Sequence, residues 1–277
     1  TPVSLGNESV TVSGSIGIAV YPDNGSDRHE LMRAADIAMY SAKAAGRNRY
    51  QFYSQGMAER SNERLSMEQG LRRAIEEEQL LVYYQPQVDL ADGRIFGVEA
   101  LVRWNHPELG MIPPVRFIPI AEESGVIDSL GRWVLERACR DILGLSESLG
   151  QQLGLAVNVS AREFTREDFV VTVRDTLART GFPPACLELE ITESTLQVIE
   201  QSVEILGALK AIGISISIDD FGTGYSSLSV LRDLPIDRIK IDRSFVRNLP
   251  EKPDGIAIVE AIVAIATSMH MEIIVEG

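Results

Sequence analysis

The chain has 277 residues, 45% of them apolar, which is enough for one large α/β domain, or for such a domain and a smaller piece. With 26 basic against 40 acidic residues the formal net charge is −14, which argues against nonspecific attachment to nucleic acid or to an anionic membrane. A small phosphorylated ligand is not excluded, because bound metal inverts the local field.

No DNA or RNA polymer and no membrane contact is therefore expected for this chain. Cys139 and Cys186 have no paired spacing and read as small apolar residues of a reducing compartment. No signal peptide is expected. The most membrane-like run, Ile256 to Val275, contains Glu260, His270 and Glu272 and changes from helical to strand character near Glu272. It reads as a buried helix followed by a buried strand. The expectation is a cytoplasmic chain, or the cytoplasmic part of a larger, membrane-attached sensor.

In chain order, residues 1–20 suggest β structure. Val3 to Leu5 and Val10 to Val20 flank a Gly6-Asn7 turn, a hairpin signal. Tyr21 to Asp27 is loop. Arg28 to Ala45 is a predicted helix with Leu31, Ala35, Ala38 and Ala42 along one stripe, closed by Gly46, and a short strand with a basic start follows over Arg47–Tyr53. Residues 1–54 are too few for a stable domain. The stretches Ser13-Gly14-Ser15-Ile16-Gly17-Ile18-Ala19 and Ala34-Ala35-Asp36-Ile37-Ala38-Met39-Tyr40-Ser41-Ala42-Lys43 resemble the C-terminal third of a GGDEF (diguanylate cyclase) domain. That family's signature loop belongs upstream of this stretch, so no cyclase activity is assigned to it.

Residues 55–78 read as a connecting helix, with Met67, Leu71, Ala74 and Ile75 on one apolar face and Glu76-Glu77-Glu78 as a solvated run. From residue 79 to 277 strands and helices alternate. The predicted strands are Leu80–Pro86, Ile95–Trp104, Leu155–Val159, Leu187–Ile191, Ile214–Asp219, Arg238–Ile241 and Glu272–Val275. Predicted helices run over Asp128–Leu143, over Ser194–Ile212 with Leu196, Ile199, Val203 and Leu206 on one face, and over Asp254–Met269. This repetition favours a (β/α) barrel over an open sheet. The first two strands are joined only by Asp89–Arg94, centred on Asp92-Gly93, so the first should run antiparallel to the second. Seven strands are expected here, and an eighth beyond Gly277.

Most of these strands end in an oxygen donor. Glu99 lies in the second, Asn158 ends the third, Glu190 the fourth, Asp219 and Asp220 the fifth, and Glu276 the seventh, while Lys240 lies in the sixth. In a (β/α) barrel such residues converge on one mouth. Five carboxylates and one amide make a hard oxygen cage, suited to Mg²⁺ or Mn²⁺. Glu99, Asn158 or Glu190 alone reads more readily as an ordinary polar group at a strand end, and Glu276 alone says little; the coincidence carries the argument, since buried carboxylates without cations are costly. A buried Lys240 needs a carboxylate partner, either Asp242 or the acidic ring. Asp219-Asp220-Phe221-Gly222-Thr223-Gly224-Tyr225-Ser226 reads as a strand ending in adjacent carboxylates, then a glycine-rich loop.

Six motifs in order resemble the EAL-domain cyclic di-GMP phosphodiesterases over about residues 70–277. They are Glu99-Ala100-Leu101, Asn158-Val159-Ser160, Glu188 to Ser194, Asp219 to Ser226, Lys240-Ile241-Asp242 and Glu276-Gly277. The resemblance implies a modified TIM barrel with an antiparallel first strand, an α/β fold, and hydrolysis of cyclic di-GMP to linear pGpG. It implies that Glu99, Asn158, Glu190 and Asp219 hold one Mg²⁺ or Mn²⁺, and that Asp219 bridges to a second ion supported by Asp220 and Glu276. Lys240 would position the attacking water, and Gln85, Leu101 and Arg103 would contact the ligand. Glu193, Phe221, Gly222, Thr223, Ser226 and Asp242 would stabilise the loop that couples metal binding to a homodimer through the barrel. The family's further glutamine and final strand would lie beyond Gly277. A catalytically silent cyclic di-GMP receptor is the rival reading; such relatives usually lose metal ligands, and here each one that the chain reaches is present. An unrelated Mg²⁺-dependent barrel enzyme would not predict Asp-Asp-Phe-Gly-Thr-Gly followed by Lys240.

Overall fold

The computed structural model describes residues 2–5, 8–11, 13–44, 46, 48–193, 195, 199–223, 231–232, 234–247 and 253–276. They fall into two compact units, Thr1–Gly70 and Leu71–Gly277.

In the first unit, β1 (Pro2–Leu5) and β2 (Glu8–Thr11) pair antiparallel. The predicted Gly6-Asn7 turn lies outside the described residues. Strand β3 (Ile16–Ile18) pairs parallel with β4 (Tyr50–Phe52), and α1 (Arg28–Ala44) makes the crossover. Its N-terminus is capped by Asp27, whose Oδ1 accepts from the Glu30 amide at 2.9 Å. Ala34, Ala38 and Ala42 are its buried stripe. The helix lies so close to β3 that a Cβ on Gly17 would stand 1.9 Å from the carbonyl oxygen of Ala35. Helix α2 (Gln55–Glu76) follows; Met67, in this unit, and Leu71 and Ala74, which belong to the second, are buried as the periodicity predicts.

The second unit is built on one curled sheet. Its strands are β5 (Leu80–Val88), β6 (Ile95–His106), β7 (Gly110–Ile112), β8 (Gly154–Val159), β9 (Leu187–Thr192), β10 (Ser215–Phe221), β11 (Arg238–Ile241) and β12 (Glu272–Val275). The order is β12-β11-β10-β9-β8-β6-β5, with β7 pairing β6. Strand β5 is antiparallel to β6, as the short connection requires, and β6 through β12 along that path are parallel. The result is a modified TIM barrel in part, an α/β half-barrel with edges at β5 and β12.

Helices cover its outside: α3 (Pro114–Ser124), α4 (Ile127–Leu149), α5 (Ala161–Phe164), α6 (Phe169–Thr180), α7 (Ile199–Ile212), α8 (Arg243–Val246) and α9 (Pro253–Ser268). The strands alternate accordingly. Leu155, Val157 and Val159 of β8, Leu187, Leu189 and Ile191 of β9, Ile216 and Ile218 of β10, and Ile239 and Ile241 of β11 are buried on the helix side. Each such aliphatic side chain contributes about 1.5–3 kcal/mol by leaving water. The residues between them face the barrel interior, and apart from Ala156 they are polar: Asn158, Glu188, Glu190, Ser215, Ser217, Asp219, Arg238 and Lys240.

Three expectations are corrected. The sheet has eight strands rather than seven, because the three-residue β7 was not anticipated. The helix expected over Asp128–Leu143 extends to Leu149, ending on Gly150 in the left-handed conformation at φ 61°. On the described part of α7, Leu206 is buried as expected, with Leu209 beside it, but Val203 of the expected face is 45% exposed, and the side chain of Ile199 is not among those described. Ser194 and Leu196 of that expected helix lie outside the described residues. Among the described residues no helix is long and apolar enough to cross a membrane. Both cysteines are free thiols.

Candidate functional site

The site begins with strand alternation. Glu99 on β6, Glu190 on β9 and Asp219 on β10 all point inward, and Glu276 follows β12, its amide donating to the Ile241 carbonyl at 3.1 Å. Lys240 of β11 rises among them. Its Nζ lies 2.6 Å from Glu190 Oε2, 2.8 Å from Glu276 Oε1, 3.1 Å from Glu99 Oε2 and 3.3 Å from Asp219 Oδ1. Glu190 and Lys240 meet across β10, which runs between their strands and carries the small, buried Ser217 opposite Glu190 on the same inner face. Burial alone would lower the Lys240 pKa, but Glu190, Asp219 and Glu99 outweigh it and hold the ammonium firmly protonated.

Asn158 joins the ring through its side-chain amide, which donates to Glu99 Oε1 at 2.8 Å. Asp220 arrives by a different device. The register of β10 against β11 slips between Ile218 and Phe221, and Asp220 sits at φ 54°. This is a bulge, with aspartate in a left-handed conformation that it tolerates better than most residues. Strict alternation would send Asp220 to the helix side. The bulge leaves it exposed at the rim, and its carboxyl pKa is raised by burial first, then by Asp219 and Asp242.

The four carboxylates carry more negative charge than one ammonium balances. Burial pushes the Glu190 carboxyl well above the usual range, Lys240 pulls it back, and Glu99 and Asp219 push it up again. Glu190 Oε1 is buried with no hydrogen-bond partner. Among the described residues no group of three His, Cys, Asp or Glu side chains is placed to hold a metal ion by itself, since the acids stand around the ammonium. The donor set nonetheless fits a hard divalent cation: every group is oxygen, the charge excess is negative, and a buried lone pair faces no donor.

The remaining predicted residues are distributed as follows. Gln85 of β5 stands directly opposite Glu99 and is exposed. Leu101 and Arg103 lie two and four residues past Glu99 on the same face of β6, with the Arg103 guanidinium donating to the Val102 carbonyl at 2.9 Å. Glu193 is buried, and its Oε2 accepts from the Gly222 amide at 3.0 Å. Phe221 is buried, and the Thr223 hydroxyl donates to the Asp220 carbonyl at 2.7 Å. Asp242 does not touch Lys240; its Oδ1 caps α8 by accepting from the Ser244 amide at 3.0 Å. Ser226 lies outside the described residues.

A lower layer escaped the sequence reading. Arg238, two residues before Lys240, pairs with Glu188, two before Glu190, and with Glu272 of β12 at 2.6 Å. Asp237 accepts from the Ile216 amide at 2.8 Å and pairs with Lys210 of α7 at 2.7 Å. These contacts fix the strands that carry Glu190, Asp219 and Lys240. Two like-spaced pairs, Glu188/Glu190 and Arg238/Lys240, were the available signal, since residues two apart share a strand face.

Comparison with known proteins bears on the whole chain. The EAL domain family matches residues 68–277, and the family described as diguanylate cyclase, GGDEF domain, matches residues 1–49. A cyclic di-GMP phosphodiesterase of Pseudomonas aeruginosa, NbdA, is 43% identical over 277 residues, covering 100% of this chain and 35% of the relative. The bifunctional diguanylate cyclase/cyclic di-GMP phosphodiesterase MucR of the same organism is 45% identical, covering 100% of this chain and 40% of the relative. The chain thus spans well under half the length of these relatives. Among solved structures, the MucR phosphodiesterase in complex with c-di-GMP superposes with a TM-score of 0.72 at 45% identity, over 76% of this chain and 86% of that one. The EAL domain of Mycobacterium smegmatis DcpA does so with a TM-score of 0.60 at 35% identity, over 72% of this chain and 80% of that one.

Proposed function

This chain belongs to the EAL domain family, and from that premise we propose that it hydrolyses cyclic di-GMP to linear pGpG in second-messenger signalling, with Mg²⁺ or Mn²⁺ held at the rim of its half-barrel. The observation that carries this reading is the convergence of Glu99, Glu190, Asp219 and Glu276 on the single ammonium of Lys240. Four acids brought from four strands to one point, with a negative excess, are arranged for cations and not for fold stability.

In this reading Glu99, Asn158, Glu190 and Asp219 would hold one ion, and Asp219, Asp220 and Glu276 would hold a second. Ions bound there would lower the pKa of water and neutralise phosphate charge. The reaction adds a water oxygen to phosphorus and breaks the P–O3′ bond, and the departing 3′ oxygen takes up a proton. Lys240 keeps a fixed positive charge beside the phosphoryl group as its negative charge grows, and orients the water. Arg103 offers two parallel donors to a phosphate, and Gln85 and Leu101 contact the ligand across β5 and β6. Glu193 steadies the start of the loop after β10 through Gly222, and Asp242 does so from α8.

The wider organisation is part of the proposal. Residues 1–54 would be the C-terminal remnant of a GGDEF domain, 55–78 a connecting helix and 79–277 the phosphodiesterase barrel. The chain would act in the cytoplasm as a homodimer through the barrel. The two free thiols are compatible with a reducing compartment.

Chromatography of cyclic di-GMP incubated with the protein tests the reading. The linear dinucleotide should accumulate with Mg²⁺ or Mn²⁺ and stop accumulating with chelator. Nucleotide that binds but returns intact under every metal condition would replace the hydrolase with a silent receptor.

A further inference from the structure

The rim beside Arg103 carries exposed apolar surface that the reaction above does not use. On β5 the helix-side residues are the even ones, since the Tyr84 hydroxyl donates to Asp141 of α4 at 2.8 Å. Leu81, Tyr83 and Gln85 therefore face the barrel interior. Register places Leu81 opposite Arg103, Tyr83 opposite Leu101 and Gln85 opposite Glu99. Strand β7 adds Met111, opposite Asn105 on that same face. Leu81 is 39% exposed, Tyr83 51% and Met111 45%. The Arg103 guanidinium stands 5.5 Å from the centroid of the Tyr83 ring. A guanidinium thus backs an aromatic ring, and half of the tyrosine remains open to solvent in an apolar surround, one strand from the carboxylate ring.

Flat apolar surface beside a phosphate-binding cation suits a ligand that joins a planar aromatic group to a phosphodiester. We propose that Tyr83 is a substrate-binding and specificity-determining residue, whose open ring face stacks a purine base of the dinucleotide while Arg103 braces the ring from beside it. The proposal rests on the hydrolase reading for the identity of the ligand, but not on hydrolysis itself. Leu81 and Met111 border the base and keep water from its edges. Stacking forms in the ground state and persists in the transition state, so it acts on affinity and not on the chemical step.

The test compares Tyr83→Leu, Tyr83→Phe and Tyr83→Trp with the parent chain. Leucine fills the space under Arg103 without a ring, so it separates stacking from packing. Calorimetry with cyclic di-GMP in the presence of chelator reads Kd, and steady-state hydrolysis with Mn²⁺ reads kcat and KM. Tyr83→Leu should raise Kd and KM about ten-fold, the lower part of the range for base-on-aromatic stacking, with kcat within about two-fold. Tyr83→Phe and Tyr83→Trp should stay within about two-fold of the parent throughout. An unchanged Kd in Tyr83→Leu, or a loss in kcat instead of affinity, would overturn the assignment. A parent chain that binds cyclic di-GMP without cleaving it removes the hydrolase reading and leaves the Kd comparison to decide on Tyr83. A parent chain that does not bind it overturns both.

Discussion

Lys240 Nζ and Glu190 Oε2 lie 2.6 Å apart, with side chains 1% and 0% exposed, on strands that are not neighbours in the sheet. The pair spans the inner face of β10 and joins the two strands on either side of it. Its energetics follow from what happens when one member is removed. Lys240→Ala leaves Glu190 buried beside Glu99 and Asp219 with no cation, a situation that costs about 3–5 kcal/mol. In chelator the variant should melt well below the parent chain, and Mn²⁺ should return a larger share of the lost stability to the variant than it adds to the parent. Its affinity for cyclic di-GMP should change little while kcat falls about 100-fold or more, because the ammonium acts on charge that develops during reaction. An equal loss of affinity, read by calorimetry, would make Lys240 a binding residue instead.

Glu99 connects the ring to Asn158, whose amide donates to its Oε1 at 2.8 Å. Glu99→Ala removes an oxygen donor and orphans that amide; Glu99→Gln keeps a partner for Asn158 and removes only the charge. Both should lose more than about 100-fold in turnover, since even the outer partners of metal ligands are worth 10–100-fold. The glutamine variant should melt close to the parent. Normal turnover in Glu99→Gln, measured by product chromatography, would take this residue out of the site.

The loop after β10 is held at its first glycine. Gly222 has φ 93°, its amide donates to Glu193, and a Cβ there would stand 3.3 Å from the Phe245 ring. Gly222→Ala should therefore cost roughly 1–3 kcal/mol through its left-handed backbone alone. Glu193→Gln preserves an acceptor for the amide and Glu193→Ala does not. Denaturant titration should rank Glu193→Gln above Glu193→Ala in stability, and turnover should follow the same order. Equal stability in the two variants would show that the Gly222 contact contributes nothing.

Behind Asn158 a buried acid links pH to stability. Glu163 of α5 forms a reciprocal cap with Ser160: its Oε2 accepts from the Ser160 hydroxyl at 2.5 Å and amide at 3.1 Å, and the Ser160 hydroxyl accepts from the Glu163 amide at 3.3 Å. Burial raises its pKa from 4.5 to about 7, against the lowering effect of Ser160. The folded chain keeps this proton up to about pH 7, whereas the unfolded chain releases it near 4.5. The group's contribution is thus full below the lower value and is lost as pH rises through the upper one, on the order of 3 kcal/mol in all. Glu163→Gln cannot titrate. The stability difference between parent and variant should move against the parent from pH 4.5 to 7 and level off above, as read by thermal melts at fixed ionic strength. A difference independent of pH over that interval would refute the assignment.

What the chain announced in advance depended on how strongly each element was patterned. Strands β11 and β12 are bounded where apolar alternation bounds them, and the antiparallel β5 followed from a connection too short for a crossover. The acids of the ring were legible because each lies within or just after an apolar strand. Helix α3 was not: Pro113 and Pro114 at its start and Pro119 inside it mask a helix, although proline is favoured in the first turn. Helix α6 was hidden by Val170, Val171, Thr172 and Val173, β-branched residues that read as strand until tertiary packing overrides them. Strand β7 is three residues long, too short for alternation to register. The Ser160–Glu163 cap carried a readable signature, serine with glutamate three residues on. The partner of Lys240 was beyond the sequence, since choosing the acidic ring over Asp242 requires knowing that Asp242 caps α8.

The central claim, that acids from separate strands gather at one rim to hold divalent ions, is tested most directly by anomalous diffraction from crystals grown with Mn²⁺ and cyclic di-GMP. The account predicts manganese peaks in direct contact with the carboxylates of Glu99, Glu190 and Asp219, beside a phosphate of the nucleotide. Nucleotide seated at the rim with no manganese among those carboxylates, and the Lys240 ion pairs unchanged, would contradict it.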